Sequence, residues 1–162
     1  MADTRYTLMT SPVGELLLTA TDDGLTGVQF SPHLTASDCR GQRDDAAFSD
    51  VVAQLEEYFA GRRTTFDLRL APTGTPFQRS VWDAIANIPY GKTISYATVA
   101  SRIRRPTAAR AVGAATGRNP IVIIVPCHRV VGADGSLTGF GGGLDRKTLL
   151  LELEARASAA GR

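Results

Sequence analysis

The sequence predicts a two-domain α+β protein, in which a small N-terminal antiparallel sheet with a helix precedes a mostly helical C-terminal domain containing a helix-turn-helix. Three observations favour this class. Short strand-like segments separated by Gly- and Pro-rich turns fill the first half, and helical apolar stripes dominate the second. Residues 71–74, Ala-Pro-Thr-Gly, form a linker-like stretch between them. We therefore place the domains at residues 1–72 and 73–162.

The composition excludes several classes of protein. Hydrophobic residues make up 43% of the 162 and charged residues 21%, which is ordinary for a globular protein and argues against disordered, collagen-like and disulfide-stapled chains. No apolar run approaches the roughly 20 residues that a membrane-spanning helix needs, and the N-terminus has no secretory pattern. Cys39 and Cys127 give no disulfide framework, so we expect a reducing cytoplasm, with no membrane partner.

The elements of the first half follow from turn residues and apolar periodicity. Ser11-Pro12-Val13-Gly14 and Asp22-Asp23-Gly24 are turn clusters, and residues 31–45 are polar and irregular. The predicted elements are three strands in an antiparallel meander, a helix with one apolar face, and a further strand: Arg5–Thr10, Glu15–Thr21, Leu25–Phe30, Phe48–Phe59 and Thr65–Leu70.

The second half begins with a capped helix. Thr75 stands at the N-cap, Pro76 at the first helical position, and Gln78 completes a capping box. Two short helices follow across a break at Arg104-Arg105-Pro106: Ser95 caps the first, Tyr96–Ile103, and Thr107 caps the second, which ends near Gly117. This spacing fits a helix-turn-helix, although many helical hairpins share it.

The last elements are a buried strand and a helix. Ile121–Val125 is a continuous apolar, β-rich run, so it predicts a fully buried strand that leads to Pro126-Cys127-His128-Arg129. A final helix extends from about Asp145 to Ala157.

The net charge of +2 conceals a difference between the halves. Residues 1–72 carry a net charge of −5, whereas residues 73–162 carry +7. A basic half favours nucleic-acid binding, although chance dipolarity is an alternative. The helix that starts near Ala108 offers Arg110 as its only long side chain before Ala115, and it therefore lacks the groups that read base edges in a major groove. The small residues of this helix would allow its backbone to pack closely, either in a narrow groove or against another helix.

Cys127 is the candidate nucleophile. A lone cysteine is usually a small buried hydrophobe, but His128 and Arg129 are adjacent cations of the kind that stabilise a thiolate. Adjacent side chains in an extended chain point apart, so His128 needs a turn or a bridging water to reach the thiol. Glu154 shares a helix face with apolar residues and can orient His128, whereas Glu152 is expected in solvent; a surface charge is the alternative for Glu154.

Six segments of the second half form a recognisable set. They are Ile121-Val122-Ile123-Ile124-Val125-Pro126-Cys127-His128-Arg129-Val130, Pro89-Tyr90-Gly91-Lys92-Thr93-Ile94-Ser95-Tyr96, Ala108-Ala109-Arg110-Ala111-Val112-Gly113, Asn119-Pro120, residues 137–143 (Leu-Thr-Gly-Phe-Gly-Gly-Gly) and residues 149–154. Together they resemble the O6-alkylguanine-DNA alkyltransferases, also called methylated-DNA–protein-cysteine methyltransferases. The resemblance is strong over about residues 75–155, and the first half matches only in its order of strands and helix.

The resemblance implies an irreversible, stoichiometric transfer of an alkyl group from guanine O6 to Cys127, with the base flipped out of the duplex. His128 would deprotonate the thiol through a water, and Glu154 would polarise His128. Asn119 would support the thiolate geometry and the turn. Tyr96 would crowd the target phosphate and donate a proton to the leaving guanine. The remaining implied roles are a finger that fills the gap left by the base (Arg110), phosphate contacts (Gln78, Arg105 and Ala133) and a guanine pocket (Val130, Phe140 and Gly141).

The resemblance also sets the expected partners. The substrate would be double-stranded DNA carrying O6-alkylguanine, with O4-alkylthymine as a second lesion, and the protein would be a monomer in solution with cooperative DNA binding left open. Phe140 and Gly141 stand where many relatives have Tyr and some have Ser. Only Cys39 and His33 could serve as soft ligands in the first half, so we expect no metal and no cofactor. A helix-turn-helix regulator and a thiol hydrolase that uses Cys127 and His128 are the rival functions.

Overall fold

The computed structural model describes residues 3–30, 41–136 and 143–160. The chain divides into two compact units, Met1–Thr73 and Gly74–Arg162. Among the described residues, the first unit contains a four-stranded sheet and an α-helix, and the second unit consists mainly of helices. The α+β class predicted from the sequence is therefore confirmed. None of the helices in the described ranges is both long enough and apolar enough to cross a membrane.

The sheet of the first unit is built on an antiparallel meander. Its strands are β1 (Arg5–Ser11), β2 (Gly14–Thr21), β3 (Gly24–Phe30) and a short β4 (Gln42–Arg43). Because β2 pairs antiparallel with both β1 and β3, the predicted meander is confirmed. β4 instead pairs in parallel with β1, so residues 42–43 extend the sheet and are not irregular. Gly41 makes this approach possible, because a Cβ there would lie 2.0 Å from the Thr4 carbonyl oxygen.

The helix of the first unit covers the predicted residues. A 3-10 turn, Asp45–Phe48, leads into α1 (Ser49–Phe59). Val51, Leu55 and Tyr58 are its buried positions, and their spacing of four and three residues places them on a single face.

The strand predicted at Thr65–Leu70 is wrong. Leu70 alone bridges to Leu25 of β3. The Gln54 side chain satisfies the backbone of Asp67 instead, because it donates to the Asp67 carbonyl at 3.0 Å and accepts from the Asp67 amide at 2.9 Å. A side chain of α1 thus bonds to the backbone in the segment where a strand was expected.

The second unit opens with α2 (Pro76–Ala86), and its predicted start is confirmed. Thr75 accepts from the Gln78 amide at 3.1 Å, while the Gln78 side chain accepts from the Thr75 amide at 3.0 Å. Trp82 ties this helix to the rest of the unit, since its buried indole N–H donates to the Ala115 carbonyl at 2.8 Å.

Two short helices follow. Ser95 caps α3 (Tyr96–Arg102) as predicted, whereas α4 (Ala109–Gly117) begins after Ala108 and not after Thr107. The cap predicted at Thr107 is wrong because Thr107 lies inside a turn, which the Ala108 amide closes on the Arg105 carbonyl at 2.9 Å.

The segment Ile121–Val125 is buried but is not a strand. The Val125 amide bonds to the Ile121 carbonyl at 3.0 Å, and the Ile124 amide bonds to the Val122 carbonyl at 2.8 Å, so the chain turns tightly. The predicted strand is wrong because these bonds are local and leave no extended ladder. The prediction that the segment is buried is confirmed for four of its five residues: Ile121, Ile123, Ile124 and Val125.

The unit closes with a small parallel pairing and a long helix. β5 (Ile94–Ser95) pairs with β6 (Val130–Val131), a contact that the sequence did not indicate. α5 (Leu144–Ala160) then buries Lys147, Leu150 and Glu154, which are spaced three and four residues apart on one face.

Candidate active site

A tight, side-chain-clamped turn presents Cys127. The Asn119 side chain accepts from the Ile121 amide at 3.0 Å and donates to the Val125 carbonyl at 2.7 Å, so it holds both ends of the turn. Pro126 follows with φ −82 and ψ 67, which is an inverse γ-turn, and the Cys127 amide bonds to the Val125 carbonyl at 2.8 Å. Cys127 then begins a 3-10 turn and does not extend a strand.

The clamped turn contains one strained residue. Ile123 has a φ of 74, in the left-handed region that β-branched side chains rarely adopt, and its side chain is only 1% exposed. Such a conformation costs on the order of 1–3 kcal/mol and persists only where the surroundings enforce it. The Asn119 clamp and the buried apolar side chains supply that enforcement, so the backbone before Cys127 is held in a single conformation.

Burial dominates the electrostatics of the thiol. Cys127 is 5% exposed, and burial raises its pKa to about 11. The Asn119 amide and the Lys147 ammonium act in the opposite direction but do not outweigh it. The His128 backbone amide also favours the thiolate, but burial outweighs all of these effects, so the neutral thiol is favoured in the resting protein. The expected contribution of the His128 and Arg129 charges to the thiolate stays a prediction.

The two residues that follow Cys127, His128 and Arg129, both bind Glu154. The His128 Nε2 atom lies 2.6 Å from one carboxylate oxygen of Glu154. Arg129 forms a two-pronged contact with the same carboxylate, Nε to Oε1 at 2.8 Å and Nη2 to Oε2 at 3.0 Å. The Gly91 amide adds a fourth contact at 3.1 Å. The Arg129 charge is thus paired with the Glu154 carboxylate.

Burial and these contacts together determine the charge states of His128 and Glu154. Burial opposes the Glu154 charge, but the hydrogen bonds from His128 and Arg129 outweigh it and lower the pKa of Glu154 to about 2. Burial lowers the pKa of His128 despite the carboxylate beside it. A neutral His128 that donates from Nε2 to a carboxylate has its lone pair on Nδ1. Within the described ranges this buried Nδ1 has no hydrogen-bond partner, which leaves it free to act as a base.

Lys147 is a site residue that the sequence reasoning missed. It is 1% exposed, its Nζ donates to the Val130 carbonyl at 2.7 Å, and its positive charge favours the Cys127 thiolate. Burial lowers the pKa of Lys147. The signal was available, because Lys147 falls on the same face of α5 as Leu150 and Glu154.

The residues expected at DNA lie at the surface of the second unit. Arg110 is exposed on the first turn of α4. Tyr96 is partly exposed at the start of α3, and a Cβ on Gly113 would meet its ring at 3.9 Å, so Gly113 lets the Tyr96 ring lie close to the α4 backbone.

The three residues expected at phosphates are placed in different ways. The Gln78 side chain is engaged in the α2 capping box, and Arg105 lies exposed with its guanidinium 6.0 Å from the centre of the Phe77 ring. Ala133 is exposed in the turn that the Gly132 amide closes on Ser136. The structure therefore brings five predicted site residues into one buried cluster: Cys127, His128, Glu154, Asn119 and Val130. The residues predicted to contact DNA lie at the surface of the same unit.

Some predicted residues lie outside the described ranges. These are Phe140 and Gly141 of the expected guanine pocket, together with Cys39 and His33. Among the described residues, no group of three or more His, Cys, Asp or Glu side chains is arranged to hold a metal ion.

The family comparisons match almost the whole chain. A model described as the DNA binding domain of 6-O-methylguanine DNA methyltransferase matches residues 76–156, and one described as its ribonuclease-like domain matches residues 4–72. The fold and the site thus define a class of protein in which a helix-turn-helix unit carries a buried cysteine. The chain belongs to the 6-O-methylguanine DNA methyltransferase family, and the match to its first half is more specific than the order of strands indicated.

Individual relatives agree with this assignment. The chain is 50% identical over 156 residues to a methylated-DNA–protein-cysteine methyltransferase of Mycolicibacterium paratuberculosis, covering 96% of this chain and 94% of the relative. It is 48% identical over 152 residues to the protein of the same name from Methanosarcina acetivorans, covering 92% and 97%. A solved structure of Mycobacterium tuberculosis OGT in complex with DNA superposes with a TM-score of 0.89 at 49% identity, covering 94% of each chain.

Proposed function

We propose that this protein repairs DNA by direct reversal, moving an alkyl group from O6 of guanine to the sulfur of Cys127. The observation that carries the proposal is the buried Cys127 thiol, directly followed in sequence by His128, whose Nε2 atom lies 2.6 Å from the Glu154 carboxylate. In the transfer the bond from Sγ to the alkyl carbon forms as the bond from that carbon to O6 breaks. Guanine leaves, and Cys127 becomes a thioether.

The proton transfers follow from the charge states of the cluster. The resting thiol is neutral, so its proton must leave as the sulfur attacks, and Nδ1 of His128 is the buried base available to take it through a bridging water. Glu154 stabilises the resulting imidazolium, because a pKa of about 2 keeps its carboxylate ionised at neutral pH. Tyr96 gives its phenolic proton to the leaving guanine, and after the transfer Tyr96 regains a proton from water while His128 releases the thiol proton to water, so that both side chains end neutral. Lys147 lowers the cost of the transient thiolate.

Binding to DNA is assigned to the second unit. Its half of the sequence carries a net charge of +7, which attracts phosphate without reading sequence. We place α4 in the minor groove, since its exposed residues other than Arg110 include Ala111 and Ala114. The alkylated O6 is inaccessible in a stacked duplex, so the base must be flipped, and Arg110 fills the gap. Residues 1–72 form the accompanying N-terminal domain, and 73–162 the DNA-binding and alkyl-acceptor domain.

The finer assignments extend the same proposal. The substrate is double-stranded DNA that carries O6-alkylguanine, with O4-alkylthymine as a second lesion, and the protein acts as a monomer. Arg105, Gln78 and Ala133 contact phosphates, while Val130, with Phe140 and Gly141, lines the guanine pocket. A cytoplasmic location is consistent with a free reactive thiol, which needs a reducing compartment.

Mass spectrometry after mixing the protein with a duplex containing O6-methylguanine tests the proposal. We expect a single methyl group on the peptide that contains Cys127 and no reaction beyond one equivalent of DNA. A Cys127→Ser variant should bind the duplex and gain no methyl group. Repeated turnover would contradict the proposal and favour a hydrolase.

A further inference from the structure

The turn that ends α3 places an arginine where helices usually have glycine. The Arg104 amide bonds to the Ser101 carbonyl at 3.0 Å, and the Arg105 amide bonds to the Ala100 carbonyl at 2.9 Å. These two bonds form a Schellman motif, in which the residue after the C-cap adopts a left-handed conformation. That residue is Arg104, with a φ of 62.

The same chain ends another helix in the same way but with glycine. After α1, the Gly61 amide bonds to the Tyr58 carbonyl at 3.0 Å and the Arg62 amide bonds to the Glu57 carbonyl at 2.9 Å. Gly61 has a φ of 76 and carries no Cβ penalty. An arginine at the equivalent position after α3 therefore lowers stability, and an unfavourable backbone residue of this kind points to a role for its side chain.

The surroundings of Arg104 indicate what that role is. Arg102, Arg104 and Arg105 are exposed within four residues, and we call these three residues the arginine turn. In the described ranges neither Arg102 nor Arg104 forms an ion pair. The arginine turn lies immediately before α4, the helix placed in the DNA groove, and guanidinium groups are well suited to phosphate.

We infer that Arg104 is a DNA-binding residue, and that its guanidinium contacts a backbone phosphate beside the groove that α4 occupies. This inference rests on the proposed placement of α4 on DNA. It adds a phosphate contact to those proposed for Arg105 and Gln78, and it explains why the chain retains a charged side chain at a left-handed position. The contact is independent of sequence, as a search for lesions requires.

The test compares three variants of the full chain, Arg104→Gln, Arg104→Lys and Arg104→Gly. Anisotropy titrations of an unmodified duplex at several salt concentrations measure affinity. We expect the Gln and Gly variants to bind about three- to tenfold more weakly near physiological salt, with the salt slope smaller by about one unit. The Lys variant should bind within about twofold of the wild type. Gly should also raise the Tm, because it relieves the left-handed penalty.

Gly61→Arg is the matched control. It places an arginine at the equivalent position after α1, so it should lower the Tm and leave DNA affinity unchanged. Reaction of every variant with free O6-benzylguanine should match the wild type, because the Cys127 cluster is untouched. An Arg104→Gln variant with wild-type affinity, or with weaker binding at an unchanged salt slope, would overturn the inference. Failure of the wild type to accept an alkyl group would instead reject the proposed function.

Discussion

Replacing Glu154 with glutamine isolates the contribution of one buried charge. The wild-type carboxylate accepts hydrogen bonds from His128, from Arg129 twice, and from the Gly91 amide. Glutamine has nearly the same size but no charge, so the Arg129 guanidinium, which is 5% exposed, loses its counter-ion. Two other Arg129 contacts remain, from Nη1 to the Ile88 carbonyl at 2.7 Å and from the guanidinium to the Tyr90 ring, whose centre lies 5.5 Å away.

The size of the stability loss follows from the Glu154 pKa. A pKa of about 2 in the folded protein against an ordinary value of 4.5 corresponds to a stabilisation of roughly 3 kcal/mol. Because the folded pKa is depressed, this stabilisation is complete above pH 4.5 and is lost as the pH falls towards 2. We expect Glu154→Gln to be less stable than the wild type by about 3 kcal/mol at pH 7, and the difference to shrink towards zero near pH 2.

Urea unfolding at pH 7, 5 and 3 measures this difference directly. Other carboxylates titrate in both proteins, so the quantity of interest is the wild type minus the variant at each pH. Glu152→Gln is the control, since Glu152 is exposed on the same helix, and it should change stability little. If Glu152→Gln and Glu154→Gln lose equal stability, or if the difference does not depend on pH, the reasoning is refuted.

The same variant should slow the chemistry. Without the carboxylate His128 becomes a weaker base, and we expect reaction with free O6-benzylguanine at pH 7 to slow by roughly 100-fold, the low end of what general-base catalysis contributes. Glu152→Gln should react at the wild-type rate. An unchanged rate for Glu154→Gln would remove His128 from the proton path.

Two further variants test separate parts of the site. Lys147→Gln removes the charge that favours the Cys127 thiolate, so the pKa of Cys127 should rise further, and the pH profile of iodoacetamide labelling should shift to higher pH; an unshifted profile would show that Lys147 only supports the Val130 carbonyl. Arg110→Ala should slow reaction with duplex DNA far more than reaction with the free base, because a free base needs no extrusion. Equal losses on both substrates in single-turnover experiments would count against a role in base flipping.

Local signals made much of the fold predictable. Thr75, Pro76 and Gln78 carry a complete helix start within four residues, and the capping box forms as expected. The position of Glu154 was predictable for the same reason, since helical periodicity alone places it on the buried face with Leu150. Both features depend on residues close in sequence, which is where patterns are most reliable.

Features set by a single side chain that bonds to the backbone were harder to predict, even where that side chain is close in sequence. Ile121–Val125 has the composition of a buried strand, but the Asn119 side chain closes it into a turn. The Gln54 side chain likewise bonds to the backbone of Asp67, within the segment that was predicted as a strand. Lys147 was missed because a lysine is normally solvated. Helical periodicity places it on the buried face of α5 with Leu150 and Glu154, but its hydrogen bond to the Val130 carbonyl had no signal in the sequence.

The burial of Cys127 also governs how long an unused molecule stays competent. With a pKa of about 11, the thiol is ionised in about one molecule in 10,000 at pH 7. Peroxides and adventitious electrophiles react with the thiolate, so they consume this cysteine slowly. A protein whose cysteine can accept an alkyl group only once benefits more from this slow inactivation than from a permanently activated nucleophile.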